Sequence, residues 1–141
     1  MHNENLEKAK MLLNRTDNTC VMYDGQIILA DKRRGVRPLL DLIENKTDVT
    51  GFAAADKVVG KAAAFLYCLL GVQHLYAKVI SEPAYLVLKD AHIYIEYDQL
   101  VPAIQNRTKD GFCPMERAVW DISTPQEALD AIYHTLEQLN K

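Results

Sequence analysis

Asp56, Lys57 and Lys61 stand close together at the head of an otherwise greasy run, GFAAADKVVGKAAAFLYCLLG. An amine crowded by a second cation has a lowered pKa and becomes a candidate base or nucleophile, and two amines together hold an anion. Asp56 could balance them or act as acid or base. Read as one helix from Gly51 to Gly71, the run places Lys57, Gly60, Lys61, Ala64 and Cys68 on an arc of about 100°, with Val58, Val59, Ala62, Phe65, Leu66 and Leu69 on the remainder. The expectation is a small-residue groove with two ammonium groups at its mouth. A helix start disfavours cations, so negative partners should converge there: Asp56, carboxylates brought in by the fold, or a bound anion. The competing reading lays both lysine stems along the surface with their heads in water.

Other residues could join such a site. Glu82 follows Ser81 and precedes Pro83, a grammar that opens a helix with an acid at its positive end. Cys113 precedes Pro114 where a helix start would favour a thiolate, although Glu116 one turn on opposes it. As the alternative, Cys113 is a small buried hydrophobe like Cys20 and Cys68. Arg34 lies in DKRRGVRP, which reads either as a solvated charge run or as an arm reaching toward an anionic ligand.

Several chemistries fail on their spacing. Ala55 to Ala62 contains Gly-Lys but lacks the first glycine and the Ser or Thr of a phosphate loop, and no G-x-G-x-x-G occurs. His2-Asn3-Glu4 satisfies H-x-E without a following P-C-x-x-C, and His74, His92 and His134 are far apart. No G-x-S-x-G elbow is present.

The elements that must position these residues follow from periodicity. Residues 4 to 14 form an amphipathic helix through Leu6, Ala9, Leu12 and Leu13. Thr19 to Tyr23 and Gln26 to Ala30 are strands separated by Asp24-Gly25, a hairpin. Pro38 opens a short helix, Gly71 closes the central one, and Val72 to Ile80 reads as an interior strand. The Ser81 helix runs to about Asp90, and residues 93 to 97 alternate as a strand. Leu100 to Ile104 is ambiguous, and Gln105 to Gly111 is a polar loop. Helices start at Cys113-Pro114 and at the capping box Thr124-Pro125-Gln126-Glu127. A hairpin followed by strands alternating with helices predicts a mixed sheet with helices on both faces. Right-handed crossovers bring the starts of the central and Ser81 helices to one sheet edge.

The whole chain, 141 residues with net charge −3, 49% hydrophobic and 25% charged, suits one soluble domain with no reason to bind nucleic acid. Three scattered cysteines point to reduced thiols in the cytoplasm, and neither an export signal nor a membrane span is expected.

The blocks RRGVRPLL, ADKVVGKAAA, ISEPA and DGFCPMERAV, in that order, resemble a family of small bacterial proteins of unknown function whose fold is similar to cytidine deaminase. The resemblance covers about Asn18 to Thr135. It implies a three-layer α/β/α sandwich in which the central helix replaces the deaminase helix bearing H-x-E, and Ser81-Glu82-Pro83 replaces P-C-x-x-C. Without thiolate or imidazole ligands there, it implies neither zinc nor any other cofactor, and no deamination by the usual route. Two functions are then expected. In the first, Lys57, Lys61 and Arg34 hold a small anionic or nucleotide-like molecule, with Asp56, Glu82, Cys113 and Glu116 completing the pocket and turnover left open. In the second, the chain is an interaction or regulatory module that kept the fold and lost the chemistry. A homo-oligomer is expected.

Overall fold

The computed structural model describes residues 3–105 and 113–139. Its centre is a five-stranded mixed sheet in the order β2-β1-β3-β4-β5. The strands are β1 (Cys20–Tyr23), β2 (Ile28–Asp31), β3 (Ala53–Val59), β4 (His74–Ser81) and β5 (Tyr94–Val101). β1 runs antiparallel to both β2 and β3, while β3, β4 and β5 are parallel.

Helices cover both faces. On one lies α1 (Glu4–Asn14), whose buried Leu6, Ala9 and Leu13 meet Val21, Ala53, Ala55 and Tyr76. The Asn3 side chain accepts from the Leu6 N–H at 2.8 Å and so caps that helix. The other face carries α2 (Arg37–Glu44), α3 (Lys61–Leu70), α4 (Glu82–Asp90), α5 (Pro114–Ala118) and α6 (Pro125–Leu139), with α3 packed against all four others. Gly71 ends α3 at φ 76°, a left-handed conformation that a side chain would oppose. The Ser81 hydroxyl accepts from the Ala84 N–H, and at the predicted capping box the Thr124 hydroxyl accepts from the Glu127 N–H and donates to the Glu127 carboxylate, in place of a return bond from the Thr124 N–H.

The central stretch departs from the sequence expectation. Residues 53 to 59 are a strand, not the first turns of a helix, and α3 begins only at Lys61. Period-two burial explains the outcome: Ala53 and Ala55 pack under α1, whereas Ala54 joins the opposite core. The small side chains of Ala53 and Ala55 leave room for α1 to lie close to the sheet. The β-branched Val58 and Val59 favour extended backbone, and Gly60 breaks the strand from the helix. Lys57 and Lys61 are therefore not one helical turn apart, and the expected small-residue groove does not form.

Two smaller differences concern loops and ends. Tyr23 pairs with Ile28, so the hairpin loop has the four residues 24–27. In it the Asp24 carboxylate accepts from the Gln26 and Ile27 N–H groups, an Asx turn in place of a two-residue Asp-Gly turn. The ambiguous Leu100 and Val101 belong to β5. Residues 106 to 111 of the expected polar loop lie outside the described residues.

Candidate functional site

The starts of α3 and α4 do fall at one edge of the sheet, after the adjacent parallel strands β3 and β4, as right-handed crossovers require. Beside the α3 start lies a cavity of about 800 Å³. Among the described residues its wall includes apolar Val36, Leu39, Ala62, Ala63, Ile104 and Met115. Its polar groups are Thr19, Cys20, Arg33, Arg34, Asp56, Lys57, Gln105, Cys113 and Glu116.

Asp56 is held by neutral donors. Tyr67, fully buried on α3, donates its hydroxyl to Asp56 Oδ2 at 2.6 Å, and the Val58 N–H donates to Oδ1 at 3.2 Å. Cys20, directly opposite Asp56 in the β1–β3 register, has its Sγ 3.4 Å from the same hydroxyl. With the Tyr67 proton given to Asp56, the thiol is the donor in that second contact. Asp56 keeps some exposure at the cavity wall, yet protein surrounds its carboxyl, and burial pushes its pKa up to about 7 against the pull of the Tyr67, Val58 and Lys57 hydrogen bonds. Burial likewise drives the Cys20 thiol and Tyr67 hydroxyl upward, leaving both neutral near pH 7.

The negative partner at the α3 start is Glu116. Its side chain, 2% exposed, accepts from the Lys61 N–H at 2.5 Å through Oε1 and from the Ile104 N–H at 3.1 Å through Oε2. A carboxylate on the positive end of a helix is favourable, and here it satisfies an orphan amide as well. Gly60 makes the approach possible, because a Cβ there would lie 3.1 Å from both carboxylate oxygens. Glu116 thus closes the cavity from the C-terminal side while serving as a cap.

The remaining expected site residues divide sharply. Lys61 is turned to other work: its Nζ donates to the Trp120 carbonyl at 2.7 Å and lies 5.7 Å from the centre of the Phe65 ring. Glu82 is exposed at the first position of α4 and does not line the cavity. Lys57 contributes to the wall, but as the strand neighbour of Asp56 it points its side chain to the opposite face. Cys113 lines the cavity at the start of α5. Arg34 lines it from an exposed loop, whereas adjacent Arg33 is engaged by Asp31 and by Asp41, at 2.7 Å and 2.6 Å.

Tyr67 is the residue that sequence reasoning missed. Its signal was present: it is the aromatic hydroxyl in the uncharged run from Ala62 to Leu70, and a buried hydroxyl needs a partner.

A family model described as TM1506, domain of unknown function (DUF1893), matches residues 8–136. The chain belongs to the DUF1893 family. A crystal structure of a DUF1893 family protein, TM1506 from Thermotoga maritima, is similar to it with a TM-score of 0.87 and 27% sequence identity. The likeness covers 95% of this DUF1893 chain and 91% of the Thermotoga protein. No functionally curated protein matches this DUF1893 chain. No helix among its described residues is long and apolar enough to cross a membrane.

Proposed function

We propose that this chain is a ligand-binding protein of deaminase-like architecture that holds a small anionic molecule in the cavity beside the α3 start. The observation that carries this reading is the cavity itself: about 800 Å³ of largely apolar wall with the Arg34 guanidinium among its lining groups. Arg34 forms no ion pair with a described carboxylate. Such a concave, mostly apolar site with a few convergent polar groups is the usual form of a small-molecule pocket.

The hairpin-led mixed sheet, the helices on both faces and the two helix starts at one sheet edge support the deaminase-like classification. Zinc does not fit there. The two helix starts carry Gly60 and Lys61, and Ser81, Glu82 and Pro83, with no thiolate or imidazole among them. No step through a metal-bound water is derived for this chain. The free thiols Cys20, Cys68 and Cys113 support a reducing, cytoplasmic setting.

A ligand that binds only the folded state raises its stability, so thermal unfolding with nucleotides, sugar phosphates and simple anions tests the reading. A responsive anion should lose most of its shift in Arg34→Met and keep it in Lys57→Met, since the Lys57 side chain points to the opposite face. Lys61→Met, whose amine is tied to Trp120, should keep the shift. An unmoved melting temperature across the whole panel would leave the second reading, an interaction module. The cap made by Glu116 and the Lys61–Trp120 contact favour that alternative, since both are occupied by structural roles.

A further inference from the structure

Asp56 sits in the wall of the same cavity as Arg34, and every group that holds it is neutral. On β1 it faces Cys20, on α3 Tyr67, and its register partner on β4 is Ala77. Elsewhere on the cavity wall are Arg33, committed to Asp31 and Asp41, Arg34, the flanking Lys57, Cys113, and Glu116, committed to two amides. None of the charged groups forms an ion pair with Asp56 among the described residues. A carboxyl group in an apolar wall without a cation is costly when ionised, and its remaining lone pairs are open to whatever enters the cavity.

We propose that the cavity takes a small zwitterion, its carboxylate or phosphate at Arg34 and its ammonium group at Asp56. The proposal rests on the reading of the cavity as an anion-binding site and adds the second pole of the ligand. An ammonium group supplies the charge that the protein withholds from Asp56, in surroundings where charge-assisted hydrogen bonds are strong. A ligand with only an anion would leave Asp56 facing neutral groups alone. Because the carboxyl group titrates at about 7 when the cavity is empty, seating a cation beside it drives a proton off.

The test compares δ-aminovalerate with valerate, pentylamine and δ-hydroxyvalerate, and phosphoethanolamine with ethyl phosphate, by thermal shift and titration calorimetry. The zwitterion of one series should bind about tenfold more tightly than its anion-only analogue near pH 8, and the better series tells carboxylate from phosphate. Asp56→Asn should erase that preference while leaving the anion-only affinity. Should the variant not fold, the unaltered protein decides the matter through proton release. Calorimetry in buffers of different ionisation enthalpy should show about half a proton released per zwitterion bound near pH 7. Equal affinity for valerate, or for the hydroxyl analogue, overturns the proposal but leaves the anion site standing. Silence in every arm at millimolar concentration overturns both.

Discussion

Asp56 acts against the stability of the fold as pH rises. Its ordinary value is 3.8 and the folded value about 7, so between these the folded chain keeps a proton that the unfolded chain has lost. Stability then falls across that window and is level above it, a total of about 4 kcal/mol at about 1.4 kcal/mol per unit. Asp31, held low chiefly by its hydrogen bond to Arg33, works in the opposite sense, as do Asp17, Asp24 and Asp48. Comparing Asp56→Asn with the parent cancels those shared contributions. The variant's relative stability in urea should rise steadily from about pH 4 to 7 and then stay flat; a pH-independent difference would refute the assignment. Gly60 offers a second test at this scale. Gly60→Ala should cost about 1–3 kcal/mol, since its Cβ presses on a carboxylate pinned by two amides. Glu116→Ala alone should cost a similar amount by orphaning those amides. In a double-mutant cycle measured by urea unfolding, the two costs should fail to add by about 1 kcal/mol or more; additive costs would show the contact to be inconsequential.

Among the elements, α1 covers its side of the sheet with three buried side chains, Leu6, Ala9 and Leu13. Leu13→Ala should cost about 2–5 kcal/mol in thermal or urea unfolding. Leu86→Ala, at an exposed position of α4, should stay within about 0.5 kcal/mol. The amphipathic period made α1 legible in the sequence, and the capping residues Ser81 and Thr124 fixed two more helix starts. The central stretch misled because alanine is the strongest helix former, so Ala53, Ala54 and Ala55 read as helix although burial on both faces of the sheet places them in a strand. The β-branched Val58-Val59 pair followed by Gly60 was the available sign of a strand end. Once that boundary is misplaced, Lys57 and Lys61 appear to share a helical face when one lies in a strand and the other begins a helix.

At the scale of the molecule, the alternation of strands and helices was enough to foresee a mixed sheet and the edge that the α3 and α4 starts share. The partners within that site were not legible. Glu116 reaches the Lys61 amide across 55 positions in sequence, and Tyr67 reaches Asp56 across a strand–helix boundary. Neither separation follows a period that a linear pattern can show. The outer strand β5 carries Glu96, bound by Lys10, and Asp98, bound by the Tyr76 hydroxyl. Charges on an edge strand discourage indiscriminate pairing with other chains.

The long reach of Glu116 also orders events in time. During synthesis α3 emerges well before the residue that completes its first turn, so the Lys61 amide stays open to solvent until the C-terminal segment docks. Native-state hydrogen exchange should show that single amide protected together with α5 and α6 rather than with the rest of its own helix. Glu116→Ala should free it while the interior of α3 remains slow to exchange.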